Sequence, residues 1–122
     1  LYMLQKFGLG IDIVKVERFK NKPYSKNKIF YKKIFLDSEI KYCLKHKNSA
    51  IHFSGKFAIK ESVKKSIYQK INLLDIETYH MNSKPKIKLK NKLNYNFLVS
   101  LSHEKEFAIA VVMAEEFDDK KK

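Results

Sequence analysis

Residues 53–65 read Phe-Ser-Gly-Lys-Phe-Ala-Ile-Lys-Glu-Ser-Val-Lys-Lys, and this stretch decides the fold. Its apolar residues fall on nearly all sides of a helix, a pattern that is typical of a helix covered by other elements. We therefore predict a long central helix over about residues 49–67. The rest of the chain must then supply the layers that bury this helix.

The second informative stretch is Gly8-Leu9-Gly10-Ile11-Asp12-Ile13-Val14 near the start of the chain. Apolar side chains alternate here with glycine or aspartate, which predicts a β-strand with Asp12 facing away from the isoleucines. Similar alternation at residues 74–79, 87–89, 97–101 and 107–113 predicts four further strands. We place turns at residues 84–86 and 103–106, the second of which joins the last two strands.

Helical patterns fill the space between the first strand and the central helix. They cover residues 16–20 and 28–35, and a third helix is expected to be capped by Asp37 or Ser38. Helices followed by a run of strands indicate the α+β class. We predict one antiparallel sheet packed against the long central helix.

The chain of 122 residues is expected to form a single domain over residues 1–122. Residues 1–3 are interpreted as a remnant before a native Met3, and residues 115–122 as a charged, frayed tail. Cys43 is the only cysteine, which excludes an internal disulfide and predicts a buried side chain. No apolar run reaches membrane-spanning length and no signal peptide is visible, so we expect a cytoplasmic protein without a membrane partner.

The charge of the chain indicates an acidic partner. The formal net charge is +13, with Arg18 as the only arginine among 26 basic residues. The positive electrostatic field of such a chain favours binding to nucleic acid, an anionic membrane, a phosphorylated cofactor or an acidic protein. Part of this lysine excess has an alternative source in genomic codon bias.

Two isolated carboxylates indicate a metal site. Asp12 lies in the apolar first strand, and Glu61 lies in the central helix among lysines that include Lys65. Hard cations prefer carboxylate oxygens, and lysines suit phosphate groups, so the pattern favours magnesium-assisted chemistry on a polyphosphate. Two plainer interpretations stay open: Asp12 accepts backbone hydrogen bonds at a sheet end, and Glu61 forms a helix salt bridge with Lys65.

Common phosphate-binding and catalytic motifs are missing. The sequence has no glycine-rich phosphate loop, dinucleotide fingerprint, zinc spacing or serine nucleophile elbow. His103, which follows Ser102 at a strand end, is a candidate site residue or an ordinary surface or core histidine. The other histidines show no grouping along the sequence, and the Lys84-Pro85 pair is also typical of a solvated turn.

Several stretches, in the order in which they occur along the chain, resemble the 4'-phosphopantetheinyl transferase family. The resemblance is to the small holo-acyl-carrier-protein synthase branch of that family. The matching stretches are Gly10–Val14 with Glu17-Arg18, Gly55–Glu61 with Lys65, Lys84-Pro85, and Val99–His103 with Phe107-Ala108. The chain departs from the family pattern at Lys56, where arginine is usual. It also departs at residues 68–72, in place of a glycine-rich turn, and at Ser83, in place of glycine.

The resemblance implies an α+β homotrimer with active sites at subunit interfaces and with Mg²⁺ and coenzyme A as ligands. Asp12 and Glu61 match the metal carboxylates, and with Lys65 they form the expected catalytic set. The expected contacts to coenzyme A are Lys56, Lys60, Lys65, Lys84, Pro85, Ser102 and His103. Arg18 matches a basic position that docks the carrier protein, and we add Lys15, Lys20 and Lys22 to that surface.

The implied reaction moves 4'-phosphopantetheine from coenzyme A to a serine of an acidic apo-acyl carrier protein, in fatty acid biosynthesis. Adenosine 3',5'-bisphosphate leaves, and Glu61, a metal-bound water or His103 remains open as the general base. Two other classes stay open. One is a small basic nucleic-acid-binding module, which lacks a motif here. The other is a non-catalytic relative that only binds coenzyme A.

Overall fold

The elements follow the chain in the order that the sequence predicts. The computed structural model describes residues 6–118. Its helices and strands are β1 (Phe7–Lys15), α1 (Glu17–Lys20), α2 (Lys28–Lys32), α3 (Asp37–Leu44), α4 (Ser49–Ser66), β2 (Ile76–Met81), β3 (Lys84–Leu89), β4 (Tyr95–His103) and β5 (Phe107–Glu116). This order confirms the α+β class and the long central helix, α4.

Two predicted boundaries are wrong. The N-cap of α3 is Leu36, whose backbone N–H donates to the Glu39 carboxylate at 2.8 Å, rather than Asp37 or Ser38. The charged tail does not begin at Glu115, because Glu115 and the next residue still pair with β4. The expectations for residues 1–3 and 119–122 lie outside the described residues.

The strands form two sheets rather than the single sheet predicted. β1, β5 and β4 form an antiparallel sheet in that spatial order, and β2 pairs with β3 as a separate hairpin. Asn82 and Ser83 close this hairpin with positive φ angles of 52° and 67°, as a tight two-residue turn requires. The turn predicted at residues 84–86 is therefore wrong, because Lys84 and Pro85 already belong to β3.

The helix α4 lies directly on β1 because two glycines allow the backbones to touch. A Cβ atom on Gly8 would stand 1.9 Å from the Ser66 carbonyl oxygen, and one on Gly10 would stand 1.8 Å from that of Ser62. Glycine in a strand often marks such a close backbone approach. The glycines of the alternating pattern that predicted β1 thus also determine where α4 packs on this strand.

We expect Gly10→Ala to destabilise the fold by about 1–3 kcal/mol or more, the usual cost of overpacking. The added methyl group meets backbone atoms of α4, which cannot rotate away as a side chain can. Urea unfolding of this variant beside Gly55→Ala measures the effect, because the Gly55 methyl would meet only the Leu101 side chain, at 3.1 Å. Equal stability of the two variants would contradict this packing.

The core surrounds α4 and is rich in aromatic rings. Phe19 of α1 packs on Phe35 and on Phe53 of α4 with ring centres 5.8 Å and 6.1 Å apart, and Tyr31 of α2 packs on Phe53 at 4.6 Å. Cys43 is fully buried, as predicted. Within residues 6–118 no helix has both the length and the apolar character needed to span a membrane.

The opposite face of the three-stranded sheet is apolar and uncovered. Register places Leu9, Met113 and Leu98 side by side, and Ile11 beside Val111. Leu9 is 70% exposed and Ile11 61% exposed. A contiguous apolar face of this kind marks an interaction surface.

Candidate active site

Asp12 and Glu61 lie on β1 and α4, the two elements whose backbones touch at Gly8 and Gly10. Gly8 lies against the Ser66 carbonyl of α4, and Gly10 lies against the Ser62 carbonyl. Each step of two residues along β1 therefore corresponds to about one turn of α4 towards the helix N-terminus. By the same spacing, the next step along β1 places Asp12 opposite residues 58–61 of α4, the turn at whose end Glu61 lies.

Lys65 completes this group from the next turn of α4. Its ammonium Nζ donates to the Asp12 carboxylate at 3.2 Å and to the Ile11 carbonyl oxygen at 3.0 Å. The Lys65 side chain is 54% exposed and the Asp12 side chain 18% exposed. The lysine thus pairs with Asp12 across elements, rather than with Glu61 along the helix as the plainer interpretation had it.

The donor set suits a hard cation. The side chain of the half-buried Glu61 makes no hydrogen bond or ion pair within residues 6–118, and the Asp12 side chain has one partner there, Lys65. No group of three or more His, Cys, Asp or Glu side chains in that range could hold a metal. Mg²⁺ commonly takes one or two carboxylates and fills its other positions with substrate phosphates and water. The two carboxylates therefore fit Mg²⁺.

Arg18 lies on the same side of α4 as Glu61. Its guanidinium stands 5.2 Å from the centre of the Phe57 ring, and Phe57 precedes Glu61 by one helical turn. Lys22 stands over Phe30 at 4.7 Å, and Lys15 and Lys20 are exposed nearby in the chain. Of the basic residues predicted to dock a protein, Arg18 thus lies nearest in these contacts to the turn of Glu61.

Three other predicted residues line a cavity on the opposite side of α4. Lys56 and His103 meet Pro85 in the wall of this cavity of about 410 Å³, which we call the histidine cavity. Lys56 is buried, with Nζ donating to the Thr78 hydroxyl at 3.0 Å and carbonyl at 3.2 Å. Burial lowers its pKa. His103 is the last residue of β4 rather than part of the following turn.

Lys60 cannot contact coenzyme A in this structure, so that prediction is wrong. Its side chain is fully buried, and Nζ forms a 2.6 Å ion pair with Glu39. The same ammonium donates to the carbonyls of Ile34 at 2.9 Å and Leu73 at 3.0 Å, which uses all three of its protons. Burial lowers the pKa of Lys60, and Glu39 opposes that effect.

Lys84 and Ser102 lie apart from both groups. Lys84 is exposed at the start of β3. Ser102 pairs with Ile109 in the sheet register, so it lies on the uncovered apolar face rather than beside α4. Neither residue lines the histidine cavity.

The sequence analysis missed a grouping of histidines. His52, His80 and His103 line the cavity, and His46 stacks on His52 at 3.8 Å, although the four are far apart in the sequence. Each comes from a different element or loop, so no spacing rule could have revealed the cluster. The one local signal was the position of His52 on a helix that was predicted to be buried.

Comparison with known proteins fits this geometry. The family model of the 4'-phosphopantetheinyl transferase superfamily matches residues 8–112. The chain belongs to this superfamily. The match includes both Asp12 and Glu61.

Similar members of the superfamily are holo-[acyl-carrier-protein] synthases. The one from Thermodesulfovibrio yellowstonii is 37% identical over 110 residues, covering 87% of this chain and 96% of that protein. One from Clostridium botulinum strain Alaska E43 is 37% identical over 119 residues, covering 88% and 96%. The crystal structure of the Helicobacter pylori enzyme, in complex with coenzyme A, is 30% identical with a TM-score of 0.74, covering 88% and 99%.

Proposed function

We propose that this protein transfers the 4'-phosphopantetheine group of coenzyme A to a serine of an apo-acyl carrier protein, with Mg²⁺ held by Asp12 and Glu61. The observation that carries the proposal is the contact of Asp12 on β1 with Lys65 on α4, one helical turn after Glu61. Membership of the transferase superfamily supports the reaction. We place the reaction in fatty acid biosynthesis, and a cytoplasmic location stays a prediction.

The transfer makes one P–O bond and breaks another. The carrier's serine oxygen attacks the phosphorus next to the pantetheine arm, and the bond to the second phosphate breaks to release adenosine 3',5'-bisphosphate. The serine proton passes to Glu61 or to water. Lys65 exchanges its contact with Asp12 for a phosphate oxygen and offsets developing charge. Bound Mg²⁺ would polarise the pyrophosphate.

The dependence of the rate on Mg²⁺ tests this proposal. Apo-acyl carrier protein, coenzyme A and the protein are incubated across a range of Mg²⁺ concentrations, and holo-carrier protein is quantified by mass spectrometry. We expect saturable dependence on Mg²⁺ and complete loss of product in EDTA. An undiminished rate in EDTA would contradict the metal's role.

One subunit does not bring all candidate ligands to one place. His52 and Glu61 are nine residues apart on α4, and nine steps of about 100° put them on opposite sides of the helix. The carboxylate group and the histidine cavity are thus separated by α4. A ligand that uses both needs two copies of the chain, with the carboxylates of one beside the cavity of the other.

The uncovered sheet face offers the surface for such an assembly, and we propose a homotrimer. Its partly or mostly exposed apolar side chains are Leu9, Ile11, Ile13, Leu98, Ile109 and Val111. Burying them stabilises association by roughly 25 cal/mol for each Å² of apolar surface removed from water. The family resemblance supplies the number three.

We expect Ile11→Lys to break the trimer, because the change puts a charge in the centre of the apolar face. Light scattering should report a trimer for the wild-type protein and a smaller species for the variant. The matched control is Ile29→Lys on α2, where the isoleucine is 76% exposed away from the sheet, and this variant should stay trimeric. A wild-type protein that is monomeric and fully active would rule out the proposed assembly.

The basic side of the carboxylate site is the proposed docking surface for the acidic carrier protein. Arg18 contacts the ring of Phe57, one helical turn before Glu61, and the exposed Lys15, Lys20 and Lys22 are close to Arg18 in the chain. Opposite charges accelerate encounter and lose effect as salt rises. The surface lies beside the site that would receive the carrier's serine.

We expect Arg18→Glu to raise KM for the carrier protein at least about tenfold, because charge reversal replaces attraction by repulsion. KM for coenzyme A should change less than about twofold, since only the protein substrate uses this surface. Steady-state kinetics with each substrate varied in turn measures both values, and Lys86→Glu on exposed β3 serves as a charge-matched control. Equal changes in both KM values would count against docking at Arg18.

A further inference from the structure

The helix α1 carries proposed docking cations on very few residues. It covers only Glu17–Lys20, and the side chain of its N-cap residue, Val16, makes no hydrogen bond to it. Because starting a helix is unfavourable, a single turn is not stable without help from the rest of the fold. The directions in which Arg18 and the nearby lysines point therefore depend on the contacts that hold α1 in place.

Two sets of contacts hold the start and the buried face of α1. The Val16 backbone N–H donates to the Glu106 carbonyl oxygen at 2.9 Å. Phe19 is buried, and its ring packs against the rings of Phe30, Tyr31, Phe35, Phe53 and Phe57. The chain then leaves α1 through residues 21–23, which we call the exit of α1.

The hydroxyl of Tyr31 on α2 holds this exit. Its O–H donates to the Lys22 carbonyl oxygen at 2.5 Å, with the Phe19 carbonyl oxygen as a second acceptor at 3.2 Å. Within residues 6–118, the Lys22 carbonyl accepts no other hydrogen bond. The Tyr31 ring packs on Phe53 of α4 with ring centres 4.6 Å apart. One buried side chain thus ties the exit of α1 to the core.

The Tyr31 hydroxyl stays a hydrogen-bond donor at neutral pH and well above it. The residue is 1% exposed, and burial raises its pKa to about 12. A phenol that keeps its proton donates to a carbonyl oxygen, whereas a phenolate has no proton to donate. The tie between α2 and the exit of α1 is therefore present throughout the pH range in which the protein works.

Two cations of the proposed docking surface lie next to this hydrogen bond. Neighbouring residues of α2 hold Lys22 at both ends, because Tyr31 binds its carbonyl and the Phe30 ring lies 4.7 Å from its ammonium. Arg18, on α1 itself, has its guanidinium 5.2 Å from the centre of the Phe57 ring. Cations that are ordered before a partner arrives lose less conformational entropy when it binds.

We propose that Tyr31 is a positioning residue for the protein substrate. Its hydroxyl fixes the exit of α1, and with it the directions in which Arg18 and Lys22 meet acidic groups of the carrier protein. The inference deepens the proposed function and rests on it. Because Tyr31 is buried, it acts through these cations and contacts neither the carrier nor coenzyme A.

The variant Tyr31→Phe tests this role, because it removes the hydroxyl and keeps the ring. We expect KM for the carrier protein to rise about three- to tenfold, the scale of one lost hydrogen bond. The values of kcat and of KM for coenzyme A should stay within about twofold of wild type. A loss of stability alone would lower the amount of active protein without separating the two KM values.

Tyr24→Phe is the matched control. The Tyr24 ring packs on the Tyr31 ring with centres 5.5 Å apart, but its hydroxyl makes no hydrogen bond within residues 6–118. Removing this hydroxyl should leave both KM values unchanged. A rise in KM for the carrier equal to that of Tyr31→Phe would show that the bond to the exit of α1 is not the cause.

A second set of variants shows whether Tyr31 acts through the cations. In an Arg18→Gln/Lys22→Gln background, Tyr31→Phe should raise KM for the carrier by less than about twofold, because the groups that it positions are already gone. The same fold-change in this background as in the wild type would overturn the proposed route.

Should Tyr31→Phe fail to fold, NMR of the wild-type protein replaces it. The heteronuclear ¹H–¹⁵N NOE reports backbone motion on the picosecond to nanosecond timescale. Without carrier protein, the amides of residues 17–22 should give NOE values equal to those of α4. Clearly lower values would show that the docking segment is not held in place, and would overturn the proposal.

The failure of this inference can be told from the failure of the proposed function. If the wild-type protein transfers nothing to the carrier, the proposed function fails and the role of Tyr31 fails with it. If transfer occurs and Tyr31→Phe leaves KM for the carrier within about twofold of wild type, or raises both KM values equally, only the positioning role fails.

Discussion

Replacing Asp12 by Asn, or Glu61 by Gln, is expected to lower kcat at least about 100-fold, the usual cost of removing one preorganised electrostatic group. Both changes keep the size of the side chain and remove its charge, so the fold should survive. An amide is a poor ligand for a hard cation, so the apparent affinity for Mg²⁺ should fall as well. Turnover at saturating coenzyme A, measured over a range of Mg²⁺ concentrations, gives both effects.

The double variant Asp12→Asn/Glu61→Gln distinguishes a shared metal from two separate roles. If both carboxylates act on one ion, the double variant should be little worse than the worse single variant. Asp37→Asn, an exposed carboxylate at the start of α3, is the matched control and should keep wild-type turnover. Fully additive losses, or a Glu61→Gln protein with unchanged Mg²⁺ dependence, would show that the two residues do not share a metal.

The second large effect is expected from Lys60→Met, which should destabilise the protein by about 3–5 kcal/mol. The change leaves the Glu39 carboxylate buried without its 2.6 Å partner, although Leu36 and Thr78 still donate to it. The free energy of unfolding of an ordinary native domain is only about 5–15 kcal/mol, so the variant would lose a large part of its stability. Urea unfolding monitored by circular dichroism measures the loss.

A second substitution shows whether the buried charge is the cause. Lys60→Met/Glu39→Gln removes both charges and should recover part of the stability that Lys60→Met loses. Lys64→Met is the matched control, since Lys64 is an exposed lysine of the same helix and should have little effect. A Lys60→Met protein within about 1 kcal/mol of wild type would contradict this account, because the buried Glu39 carboxylate would then need no charged partner.

Short-range patterns predicted much of the fold. The period of two around Asp12 predicted β1, and the apolar residues on all sides of residues 53–65 predicted the buried α4. Both signals are local, because strand and helix periodicity follow from backbone geometry alone. The division into two sheets depends on long-range contacts between strands, which a single sequence does not show.

The candidate site shows the same limit. Asp12 and Lys65, which form a contact in the structure, belong to two motifs that are far apart in the sequence. At the level of the sequence, the family resemblance was what linked the two motifs. The burial of Lys60 was missed because its partner, Glu39, lies on a different helix. A helix with apolar residues on all sides leaves little room for exposed lysines, so the pattern that predicted a covered α4 also argues against an exposed Lys60.

The mass spectrum of an apo-acyl carrier protein after incubation with this protein, coenzyme A and Mg²⁺ tests the central claim most directly. We predict a mass increase of one phosphopantetheinyl group and release of an equal amount of adenosine 3',5'-bisphosphate. The increase should be absent with a carrier whose acceptor serine is alanine, and strongly reduced with the Glu61→Gln protein. An unchanged carrier mass, under conditions in which calorimetry shows coenzyme A bound, would contradict the transferase and leave a protein that only binds the coenzyme.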